Sequence, residues 1–343
     1  MRAPRMCDRR AAYRNETNGR RLRVRVCLMI EGQEGVTWEQ WLALAKACER
    51  GGFEALFRSD HYVSFGHPSE WGALDAWATL CALAASTERI RLGTLVSPVT
   101  FRHPSQLAKS VVTADHASGG RIELGMGAGW FEGEHRAYGF PFPPAAERYS
   151  MLEEQVEIVH RLLDRDPAPV TFEGAHYRLE ACPSLPKPVQ VPHPPLILGG
   201  DAGPRAARLA ARWADEYNVN GVAPDEVRRG RDRLNVACES LGRDPSTLVL
   251  SLMTTTLIGS DEKDLEARVA RLLARRGDTG DPASYLAGLG PERIVGTPER
   301  VIEQLAAYAE AGVQRVMLQH LLHDDLDAVA LIGERIIPQV AGP

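Results

Sequence analysis

No apolar run in the 343 residues approaches the roughly 18 needed to span a bilayer, so no membrane segment is expected. No Cys-x-x-Cys pair occurs among the six cysteines at 7, 27, 48, 81, 182 and 238, most of which sit in apolar stretches. That pattern argues against a disulfide framework and for reduced, structural thiols in a cytoplasmic protein. There is no Walker loop, no Gly-x-Ser-x-Gly elbow and no zinc motif. Lysine is almost missing, 4 against 36 Arg, which reads as coding bias rather than chemistry. Net positive charge is confined to the first residues: positions 1–25 hold nine Arg against Asp8 and Glu16, a balance of +7, and the remainder nets −12, which gives −5 for the whole. A body of that sign is a poor partner for nucleic acid.

The stretch Ile122 to Trp130, IELGMGAGW, organises what is present. A short buried strand runs out into alternating glycines and then Trp130, Glu132 and Glu134. Glycines at such a place let backbone approach something flat or charged, or else simply pack closely. The same rhythm recurs along the chain. Short apolar strands are expected at 23–30, 53–57, 90–96, 121–126, 196–198, 216–219, 248–258 and 313–318, nearly all followed by helices. Thr37 is a natural cap for the first helix, Pro104 a natural first-turn residue for the third, and a helix over 324–337 is expected to close the chain. Residues 166–195 hold eight prolines and alternate around Glu173-Gly174, which predicts a hairpin and extended connection inserted before the fifth strand. Residues 277–290, rich in Gly and Asp, are expected to form a mobile lid. Residues 1–22 lack apolar periodicity and are expected to be a disordered extension, with one domain over 23–340.

Eight strand–helix units imply a parallel sheet closed as a (β/α)8 TIM barrel with one insertion. An open dinucleotide-binding sheet is excluded because the first strand ends in Glu31-Gly32-Gln33-Glu34-Gly35, an acidic loop that repels phosphate. In a barrel the carboxyl ends converge and offer Glu31, Asp60-His61, Ser97, Gly127 to Trp130, Gly199-Gly200, Asn220, Thr256 and Gln319-His320. Asp60-His61 is the acid/base candidate, a histidine whose proton a nearby carboxylate would tune. Glu134-His135 follows the glycine run as a loop pair near the substrate. Gly199 to Gly203 before a helix is expected to offer free N–H groups to a phosphate. His320 and His323, three apart, lack a partner set, so no metal is expected. Tyr62, Phe65, Trp71 and Phe131 would suit an apolar small-molecule substrate.

Seven ordered pieces over about 24–340 carry a resemblance: Ser59-Asp60-His61; Leu92 to Ser97 with Arg102-His103-Pro104; Gly125 to Trp130 with Glu134 to Gly139; Pro186-Lys187-Pro188; Leu196 to Gly200; Ala214-Asp215; and Gly296 to Glu299. The chain resembles the bacterial-luciferase-like monooxygenase superfamily, in particular its branch that uses the deazaflavin coenzyme F420. The resemblance implies a non-proline cis peptide at Leu95–Val96 behind the flavin ring. It also implies Gly127, Ala128 and Gly129 along the ring, the Asp60-His61 pair beside it, and phosphate near Gly199, Gly200 and Asn220. His61 would act at the hydride-accepting carbon. Trp130 stands where sugar-phosphate dehydrogenases of this family carry a Glu, which shifts any acid role to Glu134. The resemblance further implies a homodimer. Its alternatives are an FMN-dependent monooxygenase fed by a flavin reductase, or a non-catalytic flavin-binding protein.

Overall fold

Apolar residues at every second position put one row of side chains inside a barrel and the other against helices, and the computed structural model follows that pattern. It describes residues 24–67 and 69–340; the extension expected over 1–22 lies outside them. The barrel strands are β1 (Arg25–Ile30), β2 (Ala55–Arg58), β3 (Arg91–Thr94), β4 (Ile122–Gly127), β5 (Leu196–Gly199), β6 (Glu216–Asn220), β7 (Val249–Ile258) and β8 (Arg315–His320). They pair in parallel in chain order, and β8 closes on β1 with Cys27 opposite Met317. Cys27, Met29, Ala55, Phe57, Ile197, Met253 and Met317 fill the inside. The alternate residues Val26, Leu28 and Ile30 face the helical layer.

The helices are α1 (Trp38–Gly51), α2 (Ala76–Ser86), α3 (Pro104–Ser118), α4 (Glu132–Tyr138), α5 (Ala145–Leu163), α6 (Pro204–Trp213), α7 (Pro224–Ser240), α8 (Glu262–Arg275), α9 (Pro282–Ala287), α10 (Pro298–Glu310) and α11 (Leu326–Leu331). Helix α1 shows why local sequence suffices for many of them. Thr37 Oγ1 accepts from the Gln40 amide and Gln40 Oε1 accepts from the Thr37 amide, a reciprocal cap worth about 1 kcal/mol. Trp41, Leu44, Ala45 and Cys48 recur at helical spacing and are buried. The hairpin expected before β5 is present as Val170–Glu173 with Arg178–Cys182. No helix among the described residues is long and apolar enough to cross a membrane.

Three elements differ from expectation. Residues 132–138, read as loop, form α4. The 277–290 segment is not a bare lid but contains α9, capped by Asp281 on the Ser284 amide at 2.8 Å. Its Tyr285 and Leu286 pack on a small core of Leu257, Leu265 and Leu272, because these apolar side chains recur closely enough to bury one face. The closing helix, expected as one piece over 324–337, is interrupted by a π-helical turn at Ile332–Ile336.

The amino end of the barrel is sealed by charge. Arg315, the first residue of β8, is buried and donates from Nη1 to Glu123 at 2.6 Å and to Glu216 at 3.0 Å. Arg91 reaches Glu123 from β3, and Glu54 lies 3.0 Å from Arg315 Nε. At the same end the Val24 amide donates to the Val340 carbonyl at 3.0 Å, so both limits of the barrel meet there.

Candidate active site

Strand β2 leaves the barrel through Arg58-Ser59-Asp60-His61. Arg58 is buried, lies over the Trp41 ring and donates to the Leu74 carbonyl at 2.9 Å. That fixes the strand end, and the chain turns His61 toward the mouth. His61 Nδ1 meets Glu134 Oε1 at 2.6 Å, and Glu134 Oε2 accepts from the Tyr62 amide at 3.0 Å. Glu134 is the third residue of α4 and is buried, while 14% of the His61 side chain is exposed. A carboxylate only accepts, so the imidazole donates from Nδ1 and its Nε2 is left to take up and give a proton. Burial pushes the His61 pKa down, but the hydrogen bond and charge of Glu134, with Glu31 and Asp60 behind it, outweigh burial and raise it above the ordinary imidazole value. The two residues named from sequence as catalytic therefore form one pair.

Asp60 does not serve His61 as its immediate partner. It is buried and accepts from Ser97 Oγ at 2.6 Å and from Arg102 Nη1 at 2.5 Å. The reason is geometric: adjacent residues of an extended exit point to opposite sides. His135, placed beside Glu134 as a loop residue, is buried, with Nδ1 on the Phe131 carbonyl and Nε2 on Thr100 Oγ1. Both ring nitrogens are occupied and its role is to hold α4.

The Leu95–Val96 peptide is cis, as the resemblance implies. The glycines of β4 lie against this segment. A Cβ on Gly125 would stand 2.2 Å from the Thr94 carbonyl oxygen, and one on Gly127 would stand 2.6 Å from Val96 Cγ2. What approaches these two glycines is thus the chain's own bulge. Gly129 has a φ of +76°, a conformation that side chains rarely adopt. Leu95 and Gly127 are buried, Val96, Ala128, Gly129, Gly199 and Gly200 are half-buried, and Asn220 is exposed at the rim.

The free amides expected at 199–203 are mostly used inside the protein. The Gly200 amide donates to the Asn218 carbonyl, Ala202 to Tyr217 Oη and Gly203 to Asp201 Oδ1. The first turn of α6 itself carries no side-chain cap.

The aromatic residues separate into two groups. Phe65, Trp130 and Phe131 surround His61, with ring centroids 5.0, 5.8 and 6.5 Å away. Trp130 is 63% exposed. Tyr62 instead packs on Phe101, Tyr138 and Phe140, and Trp71 lies under Arg275.

Beside Phe65 a cavity of about 530 Å³ opens between the exits of β1, β7 and β8 and α9. Its floor is a chain of hydrogen bonds that sequence reasoning did not assemble. Arg293 donates to Thr255 Oγ1 at 2.6 Å, Thr255 to Gln319 Oε1 at 2.7 Å, and Gln319 Nε2 to Glu31 at 2.6 Å. Thr256, expected at this exit, points away and bonds the Thr254 carbonyl; alternation along β7 puts Thr255 in the cavity. His320 and His323 are both pushed down to about 4, mainly by burial, and are neutral at pH 7. Among the described residues no group of three or more His, Cys, Asp or Glu is placed to hold a metal ion.

Comparison with known proteins agrees with this geometry. Residues 23–315 match the luciferase-like monooxygenase family. The FMNH(2)-dependent dimethylsulfone monooxygenase of Pseudomonas putida is 26% identical over 87% of this chain and 86% of its own length. The F420-dependent glucose-6-phosphate dehydrogenase of Nakamurella multipartita is 30% identical over 87% of this chain and 91% of its own. The barrel is also that of the coenzyme F420 dependent tetrahydromethanopterin reductase from Methanopyrus kandleri. That structure superposes with a TM-score of 0.76 at 22% identity, covering 93% of this chain and 99% of that one.

Proposed function

Because the chain belongs to the luciferase-like monooxygenase family, we propose that it is an oxidoreductase that moves a hydride between coenzyme F420 and a small organic substrate, with His61 exchanging the accompanying proton. The observation that carries this reading is the His61–Glu134 pair at the mouth of the barrel. Moving a hydride to or from an oxygen-bearing carbon changes the proton affinity of that oxygen. The reaction therefore needs a group that holds a proton near neutrality and exchanges it with substrate. A histidine with a raised pKa and one open nitrogen meets that need.

The ends of β3 to β5 fit a flat ring system. Val96 stands half-buried between Gly127 and Gly199, neither of which carries a side chain. Leu95, Val96, Gly127, Ala128 and Gly129 would hold the ring beside His61. The rim at Gly199, Gly200 and Asn220, with the uncapped first turn of α6, would meet the phosphate. When bound, the deazaflavin supplies the hydride chemistry. The protein orients substrate, keeps water from the reacting carbon with Phe65, Trp130 and Phe131, and holds the proton on His61 Nε2.

The test is a titration of tryptophan fluorescence with oxidised F420 and, separately, FMN. Tight quenching by F420 alone is the expected result, since Trp130 stands 5.8 Å from His61. Tight quenching by FMN alone would instead support a monooxygenase served by a flavin reductase. Binding without turnover across a broad substrate panel would support a non-catalytic flavin-binding protein. Turnover of His61→Ala at the wild-type rate, with cofactor saturating, would remove the proton-exchange role.

A further inference from the structure

One buried cation near the mouth has no part in the chemistry above. Arg102 follows the short strand Ser97–Pro98, and its guanidinium is 9% exposed. Nη1 donates to Asp60 at 2.5 Å, and Nη2 donates to Asp75 at 2.8 Å and to Tyr62 Oη at 3.2 Å. Its backbone carbonyl accepts from the buried Gln155 amide of α5 at 2.9 Å, so the base of the side chain is anchored as well. Asp60 and Tyr62 are the residues on either side of His61, and the Tyr62 amide is also a ligand of Glu134.

We infer that Arg102 is the positioning residue of the His61–Glu134 pair: one guanidinium grips both neighbours of His61 and so holds the imidazole against Glu134. The inference rests on the reading that His61 exchanges a proton in turnover. Asp60 is the carboxylate nearest to His61 in the chain. The extended exit turns Asp60 to the other side, where Arg102 and Ser97 hold it, and Glu134 is the carboxylate that faces Nδ1. The grip on Tyr62 carries its amide to Glu134 Oε2, so the same cation sets both ligands of that carboxylate. A planar fork can reach two carboxylates and a phenol at once, whereas the single ammonium of a lysine cannot. The charged groups around His61 are Glu134 from α4, Asp60 from the β2 exit and Glu31 from the β1 exit, and Arg102 neutralises only Asp60.

The experiment follows the His61 imidazole by ¹⁵N NMR in the full-length protein without cofactor, assigned through His61→Gln. In the wild type, Glu134→Gln lowers the His61 titration midpoint. Arg102→Ala is expected to abolish that response, so that adding Glu134→Gln to this variant no longer moves the midpoint. Turnover falls about 100-fold, mainly in kcat, as misplacement of a reacting group requires. If Arg102→Ala does not fold, Arg102→Lys keeps the charge without the fork and is expected to show the same loss of coupling. A folded variant in which His61 titrates as in the wild type, and still responds to Glu134→Gln, would overturn the inference, whatever its melting temperature. The readout is separate from the functional reading: loss of coupling together with full activity of His61→Ala would leave the clamp standing and remove the proton exchange.

Discussion

The two ends of the barrel use the same device for opposite purposes. At the amino end Arg315 holds Glu123 and Glu216; at the carboxyl end Arg102 holds Asp60 and Asp75. Each is a buried guanidinium shared by more than one acid, three for Arg315 and two for Arg102. The amino-end cluster is closed. Burial pushes the Glu123 carboxyl up, but Arg315 and Arg91 outweigh burial and hold it at about 2. Glu216 shares the cation and is raised, chiefly by burial and secondarily by its neighbour Glu123. The carboxyl-end cluster has a histidine beside it, open to the mouth and raised above the ordinary imidazole value by Glu134. What separates scaffold from chemistry here is therefore the presence of an imidazole with one face uncovered, not the number of charges.

The largest effect expected from breaking this contrast lies at the closed end. Arg315→Met takes its cation from buried Glu216, leaves buried Glu123 with Arg91 alone, and should cost about 3–5 kcal/mol, read by chemical denaturation. Cofactor affinity of the folded fraction should be unchanged. At the open end, His61→Ala should lower kcat about 100-fold, measured at saturating cofactor. Its cost in stability should be smaller than that of Arg315→Met, about 1–3 kcal/mol, because buried Glu134 loses one partner but keeps the Tyr62 amide. If His61→Ala were the unstable variant and Arg315→Met the inactive one, the division between the ends would be wrong.

A finer test uses pH. His61 has a raised folded pKa, so the stability it adds is fully present below the unfolded value and is lost as pH rises through the higher folded value. Glu123 has a lowered one, so its contribution is present above the unfolded value and is lost only as pH falls toward about 2. Wild type and His61→Gln should therefore differ in stability in mild acid and converge on the alkaline side, as denaturation at a series of pH values would show. Smallest of all, Trp130→Phe should change stability by less than about 0.5 kcal/mol, since the side chain is 63% exposed. It should also abolish most of the cofactor-dependent quenching.

Much of the barrel is legible in the chain because its signals are local. Apolar strands of four to ten residues, caps such as Thr37 and first-turn prolines place β1 to β8 and most helices within a residue or two. Helix α4 is invisible for equally local reasons: it has seven residues, opens on Phe131 with no side-chain cap, and contains Gly133. Missing it hid the main partnership of the site. His61 and Glu134 are each readable as candidates, yet they lie 73 positions apart and their pairing is a property of the closed barrel. Adjacency in sequence pointed instead to Asp60, whose true partner is Arg102, 42 positions on. The arginine and glutamine along the cavity floor carry no motif, and only the register of β7 with β8 brings Thr255 to Gln319.

The hydrogen bond from Val24 to Val340 has a practical meaning for handling the enzyme. Both limits of the barrel sit at the end remote from His61. A resin linker, a reporter domain or an electrode tether joined beside either residue would therefore hold the catalyst with its mouth facing the solution. An attachment through an introduced cysteine on the exposed tip of the α4 segment would turn that mouth toward the support. Immobilised by these two routes, the same protein should differ in access to substrate while keeping the same fold.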